Sequence, residues 1–500
     1  MTRASHPALE RDPFRAARDE FETTMQWLAS SEAPMDHSAL ETGLEARGNR
    51  ILRAAYQAYL DRQSALERTE AQLRDTPAGV VVRARTRQLE STFGRVRLSR
   101  LGHKAADTST RFPLDERLNL PADTYSHPLR RRMAEEVRRG SWEQAIESVE
   151  RTTAAHVPKR QAEEITVRAA QDVDVFYAER RPPANDLASA NALQVLSCDS
   201  KGITMLPESL RDATRKAAAS AASTAVRGDP MAEKKLRKHD KRMAVVTAVW
   251  EQERAVRTAD EIVENMKASR TVPHTKRRLP KPQNKRVSAT VVKNQTTAIA
   301  EMFDEATRRD PTHARTTVVL VDGEERQIEA IQDEAKRRSM NIRLVVDVIH
   351  VLHYLWLAGF AIRRKNHGAT EAWVANYLVK LLTRPALDVV AAIRQSATLR
   401  GLTEEEREPV EKCANYLLKN SQYIRYRDFL AEGFPIATGV IEGACRHLVQ
   451  DRLGITGARW HLAGAEAVLH LRAVHSSGDW NDYWAFHLAR EAQRNYARAA

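Results

Sequence analysis

QVLSCDSKGI, residues 194 to 203, carries five largely apolar residues up to Asp199 and stops at Lys201-Gly202. A short run of Val, Leu and Cys bounded by glycine has the composition of a central, buried strand. A carboxylate at the edge of such a strand is either a turn former or a group that meets a ligand. Two later stretches bear on that choice. TTVVLVDG, 316 to 323, repeats the pattern with Asp322 at the strand end, and PIATGVIEGACRHLVQ, 435 to 450, sets Glu442 in a helix-like stretch. Asp199, Asp322 and Glu442 are therefore the candidate metal ligands.

Working outward, MAVVTAVW at 243 to 250 reads as a second buried strand and Val287 to Val292 as a third. A helix over 296–309, the Asp322 strand, a helix over 324–338 and a strand over 342–346 follow closely. The order β, β, β, α, β, α, β, completed by the Glu442 helix, is ribonuclease H-like, with carboxylates on the first strand, the fourth strand and a late helix. That placement suits one chemistry. Magnesium, or manganese in its place, is a hard cation that prefers carboxylate oxygens and keeps waters for substrate phosphates. Two such ions about 4 Å apart clamp the attacking and leaving oxygens of an in-line displacement.

At 500 residues the chain exceeds a single core and implies two to four domains. Lys and Arg number 79 against 66 Asp and Glu, a net charge of +13. Such an excess fits a polyanionic partner, although a merely basic surface has the same composition. The three cysteines, Cys198, Cys413 and Cys445, are too far apart for a disulfide framework or a zinc knuckle. The N-terminus lacks an apolar signal segment, and the longest apolar window, Leu344 to Ile362, is broken by Asp347, His350 and His353. A soluble, cytoplasmic protein associated with the nucleoid, with no membrane partner, is expected.

The region 1–80 is expected to be helical, with an amphipathic helix over 35–75 that Asp36 or Ser38 can cap. The region 81–185 combines two DNA-binding features. QLESTFGRVRLSRL alternates apolar and polar residues around Phe93-Gly94 as a hairpin does, with Arg95, Arg97 and Arg100 on its outer side. Two helices then follow, Trp142–Thr152 and one starting at Pro158, joined by a link of helix-turn-helix length. In that motif the N-terminal residues of the second helix, here Lys159, Arg160 and Gln161, enter the major groove. An ordinary pair of packed helices has the same pattern.

Lys267 to Lys293 holds nine Lys or Arg and no Asp or Glu. Proline punctuation keeps those charges out of i,i+4 pairs, so Arg277, Arg278, Lys281, Lys285 and Arg286 are expected against phosphates, where each neutralised charge releases counterions. The region 190–350 is the first part of the α/β core, 351–434 an all-α insertion bearing Trp356, Trp373, Tyr377, Tyr416 and Tyr423, and 435–500 the final part with C-terminal helices.

CDSKG at 198–202, NKRV at 284–287, VLVDG at 319–323, IHVLHYLW at 349–356, ATGVIEGACRHLV at 437–449 and ITGARW at 455–460 together resemble the bacterial ISKra-type insertion-sequence transposases. The resemblance runs from the hairpin to the end of the chain and includes LNLP at 118–121 and Tyr125-Ser126. It implies a ribonuclease H-like core whose acidic triad is Asp199, Asp322 and Glu442. It also implies divalent-metal cleavage of double-stranded DNA at element ends, joining of 3′-hydroxyls to target DNA, and at least a homodimer. DNA contacts are expected from His350, Arg446, Arg459 and Trp460. Asp347 and His350 match the Asp or Cys, two residues, then His of the Mutator-like and hAT-like transposases, which carry a similar helical insertion. Gly102 to Arg111 lacks the cysteines that related sequences place after the hairpin, so no structural zinc is expected. A nuclease or resolvase of the same fold, or a DNA-binding regulator that has lost catalysis, are the alternatives.

Overall fold

The computed structural model describes residues 12–30, 35–73, 79–106, 108–180, 192–224, 240–267, 279–363, 367–437, 439–455 and 457–496. The chain divides into two compact units, 1–178 with 479–500, and 179–478.

In the first unit the helix His37–Leu73 begins where the Asp36 carboxylate accepts the Ala39 N–H at 3.1 Å. Its neighbour Arg15–Ala29 lies close because Gly43 has no side chain. A Cβ there would come within 2.7 Å of the Trp27 ring, and Arg47 stacks on the same ring. The amphipathic helix also finds a partner in the strands that follow, β1 (Val81–Ser91) and β2 (Gly94–Lys104), an antiparallel hairpin closed at Thr92-Phe93. Gln57 bonds the Arg97 backbone on both sides, and Glu67 accepts the Leu101 N–H at 2.8 Å. Leu60 of the helix joins Leu89, Val96 and Leu98 of the hairpin and Leu114 and Leu120 in one apolar cluster.

Arg100 departs from expectation. Period-two alternation puts it on the side of Val96 and Leu98, and it turns inward to pair with Asp115 at 3.0 Å under the Phe112 ring.

The two expected helices are present as Trp142–Thr152, entered through a Ser141–Gln144 capping box, and Lys159–Ala170. With His127–Val137 they form a packed trio. The last helix, Trp480–Tyr496, belongs to this unit and not to the core where sequence placed it. Its buried polar stripe explains why. His487 and Arg494 bond Asp172, Glu491 bonds Arg130, and the Tyr483 hydroxyl donates to the Ala169 carbonyl.

The second unit is mixed α/β. β3 (Ala192–Thr204), β4 (Lys241–Glu253), β5 (Gln283–Thr290), β6 (Thr317–Val321) and β7 (Ile342–Val346) form one sheet in the order β5-β4-β3-β6-β7. β3, β4 and β5 are antiparallel neighbours, whereas β6 and β7 run parallel to β3. The central strands are nearly continuous apolar runs because helices Gln295–Arg309 and Glu325–Arg337 connect the parallel ones and cover them. After β7 come the helices Val348–Ile362, His367–Thr383, Ala386–Leu399, Glu404–Lys419 and Tyr426–Ala431, the all-α insertion. The chain then returns through Gly439–Ala444, a π-helical turn Cys445–Gln450 and the helix Leu462–Ser476, which lies along β5. Among the described residues no helix is long and apolar enough to cross a membrane.

Candidate active site

β3 and β6 pair in parallel with Ser197 opposite Leu320, so two residues further on Asp199 and Asp322 hold equivalent positions. β6 and β7 pair with Val321 opposite Val346, which gives Asp347 the next equivalent position. Three aspartates thus stand in one row across adjacent strands, whose backbones lie ~4.8 Å apart. The row belongs to a cavity of about 380 Å³ that Lys201, His350, His353 and Glu442 also line.

Each acid is held differently. Asp199 Oδ1 accepts its neighbour Ser200 N–H at 2.6 Å, while Oδ2 accepts the Cys445 thiol at 3.2 Å and lies 3.8 Å from Lys201 Nζ. Burial and the Asp199 charge push the Cys445 thiol far up, so it stays a protonated donor. Cys198, beneath the row, is driven up likewise by burial and by Asp199 and Asp322.

Asp322 opens the turn after β6, and its carboxylate accepts the Glu324 N–H at 2.9 Å. Its carbonyl accepts the Tyr416 hydroxyl at 2.7 Å, and the Tyr416 ring stacks on Tyr354 at 4.0 Å. Gly323 has φ +87°, and a Cβ there would meet Tyr416 and Asn420 at 2.9 Å, so only glycine fits this turn. One strand over, the buried Tyr426 hydroxyl donates to the Val346 carbonyl at 2.8 Å. The insertion therefore clamps the ends of β6 and β7, two of the three parallel strands that end in an acid. Asp347 is buried and caps the helix Val348–Ile362 by accepting the Ile349 N–H at 2.7 Å.

Glu442 is exposed on its helix, whereas Ile441, Cys445 and Val449 face inward. Thr438, expected on that inner face, lies outside the described residues. Arg446 turns toward Asp451 at 3.7 Å, because the π turn that starts at Cys445 breaks ordinary i,i+4 spacing. Gly439 and Gly443 do not make room for the sheet, since a Cβ at either position meets nothing within 4 Å.

The donors are all hard oxygens, which suits Mg2+ or Mn2+. A magnesium ion needs only one or two protein carboxylates, with water and phosphate oxygens completing its shell, and Asp199 with Asp322 offers such a pair. Among the described residues no group of three or more His, Cys, Asp or Glu is assembled around a single point, so Glu442 lines the cavity without closing a three-ligand cage.

The remaining expected contacts separate. His350 is exposed on the cavity wall. Lys159 pairs with Glu143, Arg160 with Glu164 at 3.2 Å, and all four are on the surface. Lys281 is exposed, Lys285 is half-buried, and Arg459 reaches Asp240 at 3.9 Å. Two assignments are corrected. Trp460 is core: its indole N–H donates to the Leu453 carbonyl, and Arg452 covers its ring. Arg286 is drawn into an ion pair with Glu305 at 2.8 Å, where burial raises the carboxyl but Arg286 and Arg309 outweigh it and hold it at about 2. Arg277 and Arg278 lie outside the described residues. Sequence reading missed Lys201 and His353 on the cavity wall, and Cys445 and Tyr416 as the supports of Asp199 and Asp322. The signal for Lys201 was its place in CDSKG, while Tyr416 carried none, since its partner is 94 residues away.

The sequence matches no family model, and no curated protein matches it significantly.

Proposed function

We propose that the chain is a DNA transposase of the Asp-Asp-Glu type with a ribonuclease H-like core, akin to the ISKra-type insertion-sequence transposases. The observation that carries this reading is the pairing of Asp199 and Asp322 at register-equivalent ends of adjacent parallel strands, in a sheet ordered β5-β4-β3-β6-β7 with Glu442 on the same cavity. In chain order within the sheet that is 3-2-1-4-5, which puts the two acid-bearing strands β3 and β6 side by side.

Asp199 and Asp322 would hold Mg2+ or Mn2+, with Glu442 as the third carboxylate. When bound, the metal activates the attacking oxygen and stabilises the leaving one. Lys201 sets a cation beside Asp199 for a phosphate oxygen, and His350 and His353 hydrogen-bond phosphate or orient the attacking water. Water displaces the 3′ oxygen of the scissile phosphodiester, and the freed 3′-hydroxyl then attacks a target phosphodiester. No protein nucleophile is required, which fits thiols that burial keeps protonated. The enzyme works on double-stranded element ends and target DNA in the bacterial cytoplasm, as a homodimer or larger assembly that brings two ends together.

The test is purified chain incubated with magnesium and element-flanking DNA, with products resolved by length. Cleavage plus joined products supports transposition, and cleavage without joining supports a nuclease or resolvase. DNA binding with no metal-dependent cleavage would leave a regulator.

A further inference from the structure

The open end of the β1–β2 hairpin carries charge that the active site does not account for. Cross-strand partners share a face, so the register Val81↔Lys104, Arg83↔Gly102, Arg85↔Arg100 and Arg87↔Leu98 puts five cations on one side of the ribbon. That side divides in two. Nearer the turn, Arg87 and Arg100 converge on the buried Asp115 at 3.4 and 3.0 Å. Toward the open end, Arg83, Arg85 and Lys104 are exposed and have no acidic partner among the described residues.

These three line a cavity of about 480 Å³ with Gly79, Val81, Ala105, Ala106 and Thr110. Gly102, opposite Arg83, lets Thr110 and Phe112 pack directly on the ribbon backbone at the edge of this cavity. A side chain there would strike Thr110 and Phe112, within 2.9 Å. Three cations along one cavity wall, with no described acid paired to them, make a cleft of positive potential that attracts an anion.

We infer that this cleft binds the phosphate backbone of duplex DNA, with Arg83, Arg85 and Lys104 as its phosphate contacts. A two-stranded ribbon is one of the two protein elements that a major groove admits. Same-face residues on a strand repeat every ~6.8 Å, twice the ~3.4 Å axial spacing of phosphates along one DNA strand. Arg83 and Arg85 thus present charge that repeats along the strand, which suits a polyanion with regularly spaced phosphates. Thr110 adds a hydroxyl at the rim for a phosphate oxygen. The inference rests on the proposed function only in taking DNA as the polyanion.

The test uses the full chain and a 5′-fluorescein 40-base-pair duplex, with affinity read by anisotropy from low to high KCl. Each phosphate neutralised contributes about 0.9 to the slope of log affinity against log salt. The triple variant Arg83→Ala/Arg85→Ala/Lys104→Ala should therefore lower that slope by about 2.7 with an unchanged Tm. A charge-matched control, Arg15→Ala/Arg62→Ala/Arg139→Ala, should retain the wild-type slope. Wild-type binding with the same slope in both triple variants overturns the cleft and leaves the proposed function standing. A wild-type chain that does not bind duplex overturns both. Loss of binding to phosphatidylserine vesicles, with DNA binding intact, assigns the cleft to a membrane surface and overturns the inference.

Discussion

Tyr416→Phe tests whether the helical insertion sets the position of Asp322. The substitution keeps the ring, and with it the stack on Tyr354, and removes only the hydroxyl that donates to the Asp322 carbonyl at 2.7 Å. A net hydrogen bond contributes about 1 kcal/mol, and an acceptor left dry raises the cost to about 3 kcal/mol. The site is part-buried and beside an open cavity, so water can reach the carbonyl and the lower half of that range applies. Expected is a loss of about 1–2 kcal/mol in urea unfolding monitored by circular dichroism. Function should respond differently from stability. On the proposed function, in which Asp199 and Asp322 would share an ion, a loosened turn should raise the magnesium concentration for half-maximal cleavage several-fold while DNA affinity holds. Cleavage with wild-type magnesium dependence, alongside the expected loss of stability, would show that Tyr416 supports the fold and does not position the acid.

Asp322→Asn keeps the shape of the row but removes an anionic oxygen, so magnesium-dependent cleavage should collapse in a gel assay while duplex binding persists; equal loss of both would make the residue structural. Lys281→Ala with Lys285→Ala should lower the salt slope of DNA binding by up to about 1.8, and an unchanged slope would leave these two lysines as solvated surface. Acid should open the first unit. Burial raises the carboxyls of Asp172 and Glu491, but His487 and Arg494 around the one, and Arg130 and Arg494 around the other, pull both down to about 2. With folded values below the unfolded ~4, their stabilisation is complete above about pH 4 and is lost as pH falls toward 2, roughly 2–3 kcal/mol apiece. Asp172→Asn should lower neutral stability and flatten that acid transition in a fluorescence titration, and an unshifted transition would show that other carboxylates govern it.

How much was legible in the sequence depended on how local the cause was. The strand QVLSCDSKGI extends only two residues before and one beyond its expected bounds, and 342–346 coincides with β7, because apolar runs ended by Gly or Asp fix buried strands from their own residues. The hairpin and the helix Lys159–Ala170 were legible from equally local signals, alternation around Phe93-Gly94 and proline at the helix start. Residues whose environment comes from far along the chain were not. Trp460 and Arg286 sit in strings that suggest nucleic-acid contact, yet Leu453 and Glu305 satisfy them from within the fold. The last helix joined the first unit through Asp172 and Arg130, more than 300 residues away, which no local pattern records.

Glu442 shows where a sequence argument can place a residue on the same cavity as Asp199 and Asp322 by a reason that fails. Two glycines on its helix face cost roughly 1 kcal/mol each relative to alanine, and close approach to the sheet was the natural explanation. The structure removes it, because Gly439 and Gly443 have open space where a Cβ would stand. Internal packing therefore does not account for them, and the bare backbone lies on the side that Glu442 shares with solvent. The π turn beginning at Cys445 acts on the inner side of the same segment, where the thiol meets Asp199. One short segment thus ties the first acid down through a buried thiol and presents the last acid on a surface without side chains at two nearby positions. Alanine at Gly439 and Gly443 should accordingly raise the melting temperature, since it adds helix propensity and meets nothing. If the same double variant also weakens DNA affinity or cleavage, the open backbone serves the substrate; if activity is unchanged, the glycines have no role there and only the stability gain remains.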